Sequence, residues 1–177
     1  EWKAPKPGRK VVGYLPIYVP SEIIHAAGML PLGVLGGGSD LEVIHGDAYY
    51  QSYICRIPRS TVELGVTKRL DFVDGMLFPS TCDVIRNLSG VWKLMFPEVY
   101  TRYFDTPQNY KKEIGGEFYK NDLRELLEGL EEMGGVKVTD DDLRASIEVY
   151  NERRQWVEKV YQFRRDQPWK TPSSEIY

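Results

Sequence analysis

The chemistry of this chain concentrates in two cysteines, Cys55 and Cys82. Cys82 stands in the run GMLFPSTCD, where a short apolar strand gives way to a helix. Such a turn aims backbone N–H groups outwards at the positive end of the helix dipole, a setting that suits a sulfur acting as nucleophile or metal ligand. Cys55 stands three residues before Pro58, and a proline that interrupts or starts a helix leaves nearby backbone free to meet a cofactor. No CxxC pair is present, so spacing alone does not describe a metal site. Composition offers a competing reading: two reduced, buried cysteines packing as small hydrophobes.

The elements that must position these thiols follow from hydrophobic periodicity. KVVGYLPIY, MLPLGVLGGG, GMLFP and VYTRYFDTP read as four strands. Between them lie a short helix, EIIHAAG, capped by Ser21 and stopped at Gly28, and a helix entered from Asp47 that carries Cys55 and breaks at Pro58. A third runs over Thr81–Phe96. This alternation predicts an α/β fold with three layers, flavodoxin-like, on a mostly parallel sheet of about four strands. With right-handed crossovers the DTPQN exit reaches the same edge as PSTCD. Cys82, Asp105, Gln108 and Asn109 then share one crevice at the carboxyl edge, where open parallel sheets gather ligands. Gly36 to Gly38 lack a GxGxxG or GxxxxGK arrangement and read as a flexible turn. His25 reads as a hydrogen-bonded helix residue and His45 as a loop residue without a chemical signal.

The segments YLPIYVPSEIIHAAGMLPLGVLGG, YICRIPRSTVELGV, LDFVDGMLFPSTCDVIRNLSGVWKLMFP and YFDTPQN together resemble the amino-terminal half of the 2-hydroxyacyl-CoA dehydratase and benzoyl-CoA reductase family. The wording around Cys82 is most similar to the reductase side. The resemblance implies a subunit of two stacked α/β domains clamping a 4Fe-4S cluster ligated by three cysteines, two of which correspond to Cys55 and Cys82. The third ligand falls in a second domain outside this chain, so a cluster is expected in the full-length protein and not in this piece alone. Arg56 and Arg59, flanking Cys55, either hold the phosphates or carboxylate of an acyl-CoA substrate, or balance the charge of a reduced cluster, or are solvated surface arginines. The implied activity is that of a low-potential acyl-CoA reductase, benzoyl-CoA reductase-like, with a dehydratase component as the alternative. The implied partners are a sister cluster-bearing subunit and an ATP-hydrolysing electron-activating protein. Two other readings stay open: a non-catalytic relay or structural homologue, and a flavodoxin-like domain binding a nucleotide or flavin without iron.

A length of 177 residues suits one domain with a helical appendage. The expected organisation is a linker over 1–9, an α/β cluster-binding domain over 10–110, a helical pair over 111–167, and over 168–177 the start of a linker to a missing second domain. In the pair, Leu123, Leu126, Leu127, Leu130 and Met133 form one stripe ended by Gly134 and Gly135. Thr139, with Asp142 in a capping-box position, opens a second helix carrying Leu143, Ile147, Tyr150, Val157 and Tyr161. The pair is expected to brace the sheet or a neighbouring subunit. A net charge of -3 gives no electrostatic case for nucleic acid or an anionic membrane. No apolar run approaches a membrane span, and two cysteines in different settings imply no disulfide framework, so a reducing cytoplasm is expected.

Overall fold

A computed structural model describes residues 2, 3, 6 and 8–175; the remaining positions of the expected 1–9 and 168–177 linkers lie outside the described residues. Four strands, β1 (Val11–Tyr14), β2 (Leu30–Gly33), β3 (Gly75–Pro79) and β4 (Tyr100–Phe104), form one sheet in the order β2-β1-β3-β4. All neighbours are parallel, with Val12 opposite both Pro31 and Gly75, and Met76 opposite Thr101. The central GMLFP strand is buried at every residue, as a strand covered on both faces must be.

Three helices connect the strands: α1 (Ser21–Ala26), α2 (Arg56–Val66) and α3 (Asp83–Met95). The β1-to-β2 connection crosses the sheet one way and the next two cross it the other way. Crossovers of a single hand therefore put α1 on one face and α2 with α3 on the other. Side-chain alternation builds a core layer on each side. Met76 and Phe78 join Val62 of α2 and Leu88 and Trp92 of α3, whereas Leu77 joins Ile24 of α1. Helix α4 (Glu117–Gly134) completes that second layer with Leu126 and Leu130, both fully buried beside Phe104. Its end is fixed by Gly135, whose φ of 63° is the left-handed conformation that glycine adopts without strain. On the first face, Gly65 lets α2 and α3 approach closely, since a Cβ there would stand 2.8 Å from both Trp92 and Phe96.

Two local expectations are corrected. Helix α2 does not run from Asp47, which lies in a tight turn over Gly46–Ala48, nor does it break at Pro58. It begins at Arg56, and Pro58 sits in the first turn, where backbone N–H groups have no intrahelical acceptor and a missing one costs nothing. Ser21 is the first residue of α1 and not its cap; Pro20 holds the N-cap position and no side chain caps it.

The described chain divides into two compact units, residues 1–138 and 139–177. The second is built on α5 (Asp140–Asp166), opened by the expected capping box: Asp142 N–H donates to Thr139 Oγ1 at 3.2 Å and Thr139 N–H to Asp142 Oδ2 at 2.9 Å. Ile147, Trp156, Val157, Val160 and Phe163 remain exposed along it. Among the described residues no helix is long and apolar enough to cross a membrane.

Candidate functional site

Both cysteines are N-caps. Cys82 precedes α3 directly after the exit of β3, whereas Cys55 precedes α2 at the end of a long connection from β2; the glycine turn that leaves β2 touches the first turns of α2 through Arg56 and Ser60, so this cap too lies at the carboxyl edge, on the face shared by α2 and α3. Both thiols are free and exposed, which corrects the reading of them as buried hydrophobes.

Around Cys82 the exits of β3 and β4 form an open cleft of about 630 Å³. Two hydroxyls bind the exits together. Ser80 Oγ lies 2.7 Å from Thr106 Oγ1 and accepts from Thr106 N–H at 3.0 Å, while Ser80 N–H donates to the Phe104 carbonyl at 2.9 Å. Thr81 Oγ1 donates to the Pro16 carbonyl at 3.2 Å and so ties in the β1 exit. From α4, Asp122 accepts from Asp105 N–H at 3.2 Å and pairs with Arg102 at 2.6 Å. Burial pushes the Asp122 carboxyl up from its ordinary value against the pull of Arg102.

Of the residues expected in this crevice, Cys82, Asp105 and Gln108 line it. Asn109 does not; its Oδ1 turns back to accept from Lys111 N–H at 3.0 Å. Three lining residues escaped the sequence reading: Arg86, Tyr103 and, from the first turn of α4, Phe118. Arg86 follows Cys82 by one helical turn, its N–H donating to the Cys82 carbonyl at 3.1 Å, and its guanidinium carbon stands 5.8 Å from the centroid of the Tyr103 ring. The i, i+4 spacing from Cys82 was the available signal for it. The Tyr103 hydroxyl is pushed above its ordinary value by burial first and then by the charge of Asp105, with Arg86 opposing.

Arg56 and Arg59 do not line the cleft. Arg56 donates to the carbonyls of Gly38, at 3.1 Å, and of Ser39 and Leu41, and Arg59 pairs with Asp47 at 2.8 Å. Both brace the long connection between β2 and α2. Its glycine turn packs against the same helix, the Gly37 N–H donating to Ser60 Oγ at 3.1 Å. Behind them lies a group that the sequence reading passed over. The carboxylate of Glu63, 3% exposed, accepts from the N–H groups of Ile44, His45 and Gly46 at 2.7 to 2.9 Å and meets His45 Nδ1 at 2.9 Å. Burial raises its pKa, but the His45 hydrogen bond and the three backbone donors outweigh burial and hold it at about 2. His45 is therefore part of the anchor for the segment leading to Cys55. His25 is an exposed residue of α1.

Among the described residues no three His, Cys, Asp or Glu side chains gather as a metal-binding group. The geometry is that of an open crevice with one sulfur in its wall and a second at the same sheet edge. A subunit of the benzoyl-CoA reductase of Thauera aromatica is 68% identical to this chain over 177 residues, 100% of the chain and 46% of that relative. The beta subunit of (R)-phenyllactyl-CoA dehydratase from Clostridium sporogenes is 35% identical over 147 residues, 83% of the chain and 39% of the relative. The beta subunit of (R)-2-hydroxyglutaryl-CoA dehydratase from Acidaminococcus fermentans is 32% identical over 168 residues, 94% and 44% respectively. The chain thus spans less than half the length of these curated relatives. The sequence model of one family matches residues 16–177, which hold three of the four strands, the cleft and both cysteines, and the chain belongs to that family, 2-hydroxyglutaryl-CoA dehydratase, D-component.

Proposed function

We propose that this chain is the amino-terminal, iron–sulfur-binding part of a subunit of an ATP-coupled, low-potential acyl-CoA reductase, of the benzoyl-CoA reductase kind, acting on an aromatic acyl-CoA thioester. The observation that carries the reading is the 68% identity to a benzoyl-CoA reductase subunit across the whole chain. The donor chemistry fits. Two free, exposed thiols stand at one edge of the sheet, and thiolate sulfur is the ligand that iron–sulfur clusters take. A 4Fe-4S cluster, when bound, supplies a one-electron donor of low potential. Cys55 and Cys82 would hold it, with the remaining ligand from outside this chain. The residues around Cys82 have roles of their own: Ser80 and Thr106 fix the cleft wall, and the exits of β3 and β4 shape the approach of the thioester.

The implied partners are a sister subunit, in keeping with relatives that are themselves named as subunits, and an ATP-hydrolysing electron donor. A 2-hydroxyacyl-CoA dehydratase component is the second reading, favoured by identities of 35% and 32% to dehydratase beta subunits. The test is to prepare Cys82→Ser and Cys55→Ser in the full-length protein without oxygen and to measure iron content and acyl-CoA-dependent activity. Serine is nearly isosteric and a good N-cap, so the fold should survive while iron and activity are lost. Full iron and full activity in Cys82→Ser would sink the proposal. Assaying benzoyl-CoA against a 2-hydroxyacyl-CoA separates reductase from dehydratase.

A further inference from the structure

Three arginines stand close to the cysteines in sequence, and the structure engages them differently. Arg56 caps loop carbonyls and Arg59 is paired with Asp47. Arg86 makes no side-chain hydrogen bond or ion pair among the described residues. Its guanidinium carbon stands 5.8 Å from the centroid of the Tyr103 ring, at the outer reach of a cation–π contact that leaves the charge unneutralised. Asp83 and Asp105 line the same cleft, yet neither pairs with it. Arg86 is thus the one cation among the described residues that line the cleft, exposed and without an ion pair, in a lining that also holds two carboxylates. That charge stands one turn along α3 from Cys82, roughly 6 Å along the helix axis.

We propose that Arg86 is a positioning charge for the centre bound at Cys82: its guanidinium offsets the negative charge that centre gains on taking up an electron, and so raises its reduction potential. The inference rests on the iron–sulfur reading above. A thiolate-ligated cluster is anionic, each added electron makes it more so, and local charge is one of the protein's levers on its potential. Arg86 suits the task better than Arg56 or Arg59 because, among the described residues, it lines the cleft and no carboxylate is ion-paired with it. Asp105, which lines the same cleft and like Arg86 acts on the Tyr103 hydroxyl, works in the other direction. The anionic groups of an acyl-CoA could also meet a free guanidinium in an open cleft. Position on the helix that Cys82 caps favours the metal centre, because Arg86 lines the same cleft as Cys82 whether or not substrate is bound.

The test uses the full-length protein with its partner subunit, purified without oxygen, as Arg86→Gln, Arg86→Lys and Asp105→Asn. Iron content is measured first. The midpoint potential then follows from a mediated titration read by electron paramagnetic resonance, with a chemical reductant supplying the electron. Arg86→Gln should keep its iron and titrate at a more negative potential, Arg86→Lys should stay near the parent, and Asp105→Asn should move to a less negative one. An unmoved midpoint in Arg86→Gln overturns the proposal, including the case in which KM for the thioester rises alone, which assigns the residue to substrate. Should Arg86→Gln lose its iron, Asp105→Asn decides, and an unmoved midpoint there overturns the proposal equally. A parent protein that holds no iron removes the underlying reading, an outcome distinct from iron-loaded variants whose potentials do not move.

Discussion

Glu63 shows how one carboxylate can organise a loop that has no regular structure. Its pKa is held near 2, below the ordinary 4.5, so its contribution to stability is complete above about pH 4.5 and is lost as pH falls towards 2. Glu63→Gln keeps the volume but turns an amide N–H₂ towards backbone donors, and should cost about 1–3 kcal/mol at neutral pH. Urea unfolding of parent and variant at pH 7 and again near pH 3 checks this, since the gap between them must narrow at the lower pH. A gap that stays constant would mean the carboxylate charge is not what holds the loop. None of this was legible in the sequence, because Glu63 and the Ile44–Gly46 segment meet across an irregular connection that carries no period. Cys82, in contrast, was legible as a helix start because Pro, Ser, Thr and Asp surround it at capping positions. Asn109 misled for the opposite reason: an Asn in a turn forms local backbone bonds as readily as it faces a ligand.

At the level of elements, the four strands and the helices between them were readable because each is a short apolar run or a 3.6-period stripe bounded by Gly or Pro. The boundaries around Pro58 were not. Proline is compatible with the first turn of a helix and with its end, and only the register of the following apolar residues distinguishes the two. The same helix offers a prediction about packing. Gly65 brings α2 against Trp92 and Phe96 of α3, and the added methyl of Gly65→Ala must displace a ring. Overpacking of this kind costs about 1–3 kcal/mol, although alanine is the better helix former. A thermal melt should therefore show a lower midpoint for Gly65→Ala. An unchanged or higher midpoint would show that the rings yield without loss.

Across the whole molecule, composition separated a sheet-rich part from a helical part but drew the line before α4. The stripe of Leu123, Leu126, Leu127, Leu130 and Met133 does not say which surface it covers; the structure shows Leu126 and Leu130 sealing the second core layer. A chain ending at Val138 should consequently keep a cooperative urea transition, followed by the fluorescence of Trp92. A chain ending before α4 should lose that transition, because Leu77 and Phe104 would face water. Equal cooperativity in both would show that α4 is dispensable to the core. One further consequence belongs to the sheet edge. In β2, Leu30 and the following Val34 donate inwards to Lys10 and Tyr14, so alternation turns the backbone nitrogens of residues 31 and 33 outwards. Position 31 is proline, which has no N–H to offer. An incoming strand from another molecule would find a broken row of donors there, so this flank of the sheet is guarded against edge-to-edge growth into aggregates when the protein is concentrated or crowded on a ribosome.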